Sequence, residues 1–105
     1  MSITLVVTTN VSNRIRGFLA SSMLEIAPGV YSGARLSVAV RERIWTVLED
    51  WFIVESGASI VMVWYEPSMP GGQDVRVLGL PSTTFVERDG LVLSVKPEIG
   101  VVDDE

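Results

Sequence analysis

Apolar residues recur along this chain at two different periods, and each change of period marks a new element. Ile3 to Thr8 is a continuous apolar and β-branched run, the pattern of a central strand buried on both faces. A polar cluster follows, in which Asn10, Ser12 and Asn13 all have the chemistry of a helix N-cap. From there Ile15, Phe18, Leu19, Met23 and Ile26 recur close to every 3.6 residues, which predicts a first helix ended by Pro28-Gly29. Val30-Tyr31-Ser32, between two glycines, predicts a short strand at or near a sheet edge. Ser37 is placed to cap a second helix with the apolar stripe Val40, Ile44, Val47, Leu48 and Trp51. Arg41, Glu42, Arg43, Glu49 and Asp50 fall mostly on its other faces, and Glu55-Ser56-Gly57 breaks it.

Ser59 to Tyr65 reads as a strong strand, Pro67 to Gly72 as a loop or wide hairpin turn, and Val75 to Leu78 as a strand that returns to pair with Ser59 to Tyr65. Pro81-Ser82-Thr83-Thr84 reads as a second loop, Glu87-Arg88-Asp89-Gly90 carries an Asp-Gly turn signal, and Leu91 to Lys96 reads as the last strand. The order β-α-β-α-β-β-β predicts an α+β sandwich: one mainly antiparallel sheet, two helices on one face, and an open face suited to a second copy. One domain spans residues 1–97, and an acidic tail spans 98–105.

At 105 residues, 48% hydrophobic and with a mean hydropathy of +0.39, the chain is apolar for a small soluble monomer, which favours a homodimer. Cysteine and histidine are both absent. That excludes disulfides, thiolate zinc sites, Ser–His or Cys–His nucleophile pairs and a histidine base. No signal-peptide pattern precedes the first strand and no apolar run is long enough for a bilayer, so the expected location is the cytoplasm, away from membrane.

The net charge of −5 is unevenly spread. Residues 1–43 carry Arg14, Arg16, Arg35, Arg41 and Arg43 against Glu25 and Glu42, a balance of +3. Residues 44–105 carry three basic residues against eleven acidic ones, a balance of −8. Arg14 and Arg16 are the sharpest local feature, because cations at a helix start oppose the helix dipole by a few tenths of a kcal/mol and a bound phosphate would reverse that. They read either as a phosphate-holding pair or as two solvated side chains. Arg41 and Arg43 allow the same two readings with less force, since Glu42 and Glu49 stand beside them.

A magnesium-dependent hydrolase needs carboxylates converging at a strand end, yet the first strand closes on Thr8, Thr9 and Asn10. Glu25 and Glu66 are the nearest acids by element order. Trp45, Trp51, Trp64 and Tyr65 could stack on bases, but they lie in or beside apolar elements and most of them read as core.

Several segments together resemble the CRISPR-associated "Cas two" family of subtype I-E. They are Leu5 to Val11, Arg14-Ile15-Arg16-Gly17, Leu24-Glu25-Ile26, Gly29 to Gly33 and Arg41-Glu42-Arg43-Ile44-Trp45. Val61-Met62-Val63-Trp64, Leu78-Gly79-Leu80 and Asp89-Gly90-Leu91 then follow in matching order. The resemblance implies a ferredoxin-like homodimer at the centre of the spacer-acquisition complex. There it would bridge dimers of the integrase subunit and support a foreign DNA duplex without sequence preference and without a cofactor. Arg14 and Arg16 match the family's DNA-facing arginines, with Arg41 and Arg43 as additional contacts. Leu91, Val92, Leu93 and Val95 would meet the integrase or the other protomer.

The resemblance also carries an alternative, a magnesium- or manganese-dependent endonuclease acting on RNA or DNA. The family's acid at the end of the first strand corresponds to Thr9 here, which points away from catalysis. Pro81-Ser82-Thr83-Thr84 replaces a basic pair and removes two phosphate contacts. A ferredoxin-like regulatory domain that binds a small molecule is a third reading.

Overall fold

The computed structural model describes residues 3–79, 84–88 and 91–95. Strand β1 (Thr4–Thr9) leads through Ser12 into helix α1 (Asn13–Ser22), and a hairpin of β2 (Leu24–Ala27) and β3 (Val30–Gly33) follows. Helix α2 (Val38–Phe52), β4 (Ser59–Tyr65), a single 3-10 turn (Pro70–Gly72) and β5 (Gln73–Gly79) complete the main layer. Strands β6 (Thr84–Arg88) and β7 (Leu91–Val95) pair with each other in a separate two-stranded sheet.

The main sheet has the order β2-β3-β1-β4-β5, and every neighbour is antiparallel. This is a ferredoxin-like α+β arrangement with one added edge strand. β1 lies at its centre, paired with β3 (Val6 opposite Tyr31) and with β4 (Val6 opposite Met62). That position is why its sequence is apolar on both sides.

Alternation along the strands sorts the faces. Val6, Tyr31, Ile60, Met62 and Trp64 point to one side and are buried against Ile15 and Leu19 of α1 and Ile44, Trp45 and Leu48 of α2. Leu48 is fully buried, and removing such a side chain from water contributes about 1.5–3 kcal/mol. On the other side, Leu5, Val7, Val61, Val63, Val75 and Val77 share one register across three strands, on the face away from α1 and α2. Ile3, Leu24, Ile26 and Tyr65 add exposed apolar surface, and a shallow groove runs past Ile3, Leu5, Ile26 and Tyr65.

Two assignments change. The first helix does not reach Ile26: it stops at Ser22, and Met23 adopts an extended backbone. The hydroxyls of Ser21 and Ser22 both donate to the Phe18 carbonyl, at 2.8 and 3.0 Å, and Leu24–Ala27 gains a cross-strand ladder with β3. Leu24, Glu25 and Ile26 therefore form the sheet edge, and Val30–Gly33 lies one strand inside it. Thr84, which the sequence places in a loop, begins β6. Residues 80–83, Asp89-Gly90 and the segment from Lys96 to Glu105 lie outside the described residues.

Gly29 sets the β2–β3 turn. Its φ of +77° favours glycine, and a Cβ there would come within 2.9 Å of the Thr8 carbonyl oxygen. Its own carbonyl accepts from the Thr8 N–H at 2.7 Å, which ties the turn to the end of β1.

Candidate nucleic-acid interface

The end of β1 is a crossroads of three connections. Asn10 leaves the strand in the left-handed region, with φ 59°, where a short amide side chain is tolerated. Its Nδ2 donates to the Gly57 carbonyl at 3.2 Å, across the loop that leads into β4. Ser12 is the N-cap selected from the three offered by the sequence: its side chain faces the Ile15 N–H, and its own N–H donates to Glu55 Oε1 at 2.9 Å. The start of α1 is thus fastened to the chain just beyond the end of α2.

Arg14 and Arg16 sit in this first turn, both exposed. The Arg14 guanidinium lies over the Trp51 ring, 3.9 Å from its centroid. Trp51 belongs to the last turn of α2, so the partial negative charge of that helix end offsets the unfavourable dipole of Arg14's own helix. Phe18 meets the same ring edge-on at 5.3 Å. Among the described residues the ion pairs are those of Arg41 and Arg76 with Glu42, and no carboxylate pairs with Arg14, Arg16, Arg35 or Arg43.

Arg41 and Arg43 stand at the opposite end of the helix layer. α2 starts just after Gly33, which pairs with Thr4 at the beginning of β1, whereas α1 starts just past its end. Arg43 is exposed. Arg41 is not: its side chain keeps 13% of its exposure, lies 4.2 Å over Trp64, and pairs with Glu42 at 3.4 Å. Arg76 joins the same cluster, 2.8 Å from Glu42 and 4.9 Å over Trp64. The hydrogen bond from Arg76 is the main reason Glu42 titrates below the ordinary carboxylate range, with both guanidiniums adding to it and partial burial opposing it.

The sequence did not disclose Trp51 or Arg76 as partners in these clusters. Arg14 and Trp51 are far apart in the chain and on different helices, and the stripe that seats Trp51 against the core also leaves its face to α1. No local signal distinguishes that from ordinary packing.

The oxygens at the β1 terminus have other work. Thr8 donates through both its N–H and its hydroxyl to the Gly29 carbonyl, and Thr9 pairs with Ser59. Glu25 accepts from the Gly29 N–H at 3.1 Å, and Glu66 lies at the other end of the sheet, accepting from the Ser68 hydroxyl. Among the described residues no group of three or more acids converges. Neutral Thr and Asn oxygens do not fit a divalent cation that prefers charged, hard ligands. β7 places Leu91, Val92, Leu93 and Val95 on a strand paired with β6. No helix among the described residues is long and apolar enough to cross a membrane.

A family model described as "CRISPR-associated protein (Cas_Cas2CT1978)" matches residues 3–93, which takes in the central sheet, both helices and nearly all of the β6–β7 pair. By that match, and with the ferredoxin-like sheet in agreement, the chain belongs to the CRISPR-associated Cas two family.

Proposed function

We propose that this chain is a non-catalytic adaptor of CRISPR spacer acquisition, which as a homodimer bridges integrase dimers and holds the foreign DNA duplex. The observation that carries this reading is the start of α1, where Arg14 and Arg16 are exposed and free of carboxylate partners among the described residues. A cation without an acid beside it keeps its charge for a phosphate oxygen, and phosphate contacts bind without reading sequence. A two-fold axis through the apolar open face of the sheet would present the pair twice. Arg43 would extend the surface at the far end of α2, whereas Arg41 is mostly buried over Trp64 and shares Glu42 with Arg76.

The test is the Arg14→Ala/Arg16→Ala variant, with binding of a labelled DNA duplex followed by fluorescence anisotropy across a salt series, with and without the integrase partner. Affinity should fall, and the slope of log affinity against log salt should flatten by about 0.9 for each phosphate that is no longer neutralised. Unchanged affinity together with unchanged spacer acquisition would remove the reading. Magnesium- or manganese-dependent cleavage of RNA or DNA, abolished by replacing one acidic side chain, would replace it with the nuclease reading.

A further inference from the structure

The chain contains two arginine–tryptophan stacks, and they differ in one respect. Over Trp64, Arg41 and Arg76 both meet Glu42, which accepts at 2.8 Å from Arg76. Over Trp51, Arg14 lies closer to the ring than either, at 3.9 Å, and no described carboxylate reaches it. An acid partner consumes N–H donors and neutralises the cation. A π face attracts the charge and leaves the N–H donors without an acceptor.

Trp51 is itself held in place. Arg14 and Phe18 are four residues apart on α1 and so share one face, and the Trp51 ring rests against both, with Phe18 edge-on at an interplanar angle of 65°. The Glu55–Ser12 hydrogen bond fixes the two helix ends that carry these residues. An arginine free in water samples many rotamers, and a phosphate would have to select one. Seated on Trp51, Arg14 has that selection made beforehand.

We infer that Trp51 is the positioning residue of the nucleic-acid contact: it seats the Arg14 guanidinium, unpaired, where a phosphodiester oxygen is received. This rests on the reading of Arg14 as a DNA-facing residue. Trp51 touches no DNA in this scheme and acts through Arg14 alone.

The experiment uses the full chain, with and without its integrase partner, and a fluorescein-labelled DNA duplex. Trp51→Leu keeps bulk and removes the π face, so duplex affinity should fall by about two- to fivefold at low salt. Trp51→Phe should retain most of the affinity, and Trp51→Leu added to Arg14→Ala should cost nothing further. If Arg14→Ala weakens binding but Trp51→Leu does not, or if the two effects multiply, the positioning role is overturned and the DNA reading stands. If Arg14→Ala itself changes nothing, the DNA-facing role of Arg14 falls and the positioning role with it, while the wider DNA reading is decided by the Arg14→Ala/Arg16→Ala variant. Should Trp51→Leu fail to fold by circular dichroism, the wild-type Arg14 Nε–H resonance decides instead. An upfield ring-current shift that persists on adding duplex supports the seat, and its disappearance on adding duplex overturns it.

Discussion

Glu42 accepts from Arg76 at 2.8 Å, lies 3.4 Å from Arg41, and its carboxyl titrates below the ordinary range because of them. A carboxyl whose pKa is lower in the folded chain than in the unfolded one stabilises the fold when ionised in both states. That contribution is complete above the unfolded value, near pH 5 and higher, and is lost as pH falls through the lower folded value. With the side chain 42% exposed, water screens the cluster and limits its worth to at most about 1 kcal/mol. Urea unfolding of the wild type between pH 7 and pH 3 should therefore lose stability that Glu42→Gln never had, and the two curves should converge in acid. Parallel curves across the whole range would mean that the cluster is electrostatically idle.

At the scale of elements, the two helix starts use the same residue type with different geometry. Ser37 accepts from the Val40 N–H at 3.1 Å, a good capping bond, whereas Ser12 Oγ is 3.5 Å from the Ile15 N–H, at the limit of one. Ser37→Ala should cost about 1 kcal/mol in denaturant unfolding, and Ser12→Ala distinctly less. The reverse order would show that the α1 start depends on its cap and not on Glu55 and the Trp51 stack. The α1–β2 boundary shows how far local pattern reaches. Met23 and Ile26 fit a helical stripe, while Leu24 and Ile26 also fit strand alternation, and the sequence alone gives no reason to prefer the second. The sheet does, because an extended Leu24–Ala27 satisfies its backbone against β3.

For the whole molecule, the open face of the sheet is where a mean hydropathy of +0.39 shows at the surface. One side of the sheet is buried by two helices, while the other leaves Val7 38% and Tyr65 57% exposed around a band of half-buried valines. A second copy laid on this band would bury it. Val63 lies within the band, between Leu5 and Val75 on the same face. Light scattering of Val63→Glu at micromolar concentration should show monomer where the wild type shows dimer, with circular dichroism unchanged. A variant that remains dimeric would place the contact between copies elsewhere.

The sequence by itself determined the central strand, both amphipathic helices, the β4–β5 pair and the place of Arg14 and Arg16 at a helix start, because these follow from local period and capping chemistry. It also showed that Thr8, Thr9 and Asn10 close the first strand with no carboxylate among them, since residue identity needs no fold. Tertiary structure alone decided that β2 leaves the helix for the sheet edge, that Glu55 anchors the start of α1, and which arginines meet a carboxylate. Arg14 and Arg41 are the same residue at similar places on their helices. What separates them is an ion pair: Glu42 lies 3.4 Å from Arg41, and among the described residues no carboxylate pairs with Arg14, a distinction set by contacts between distant parts of the chain.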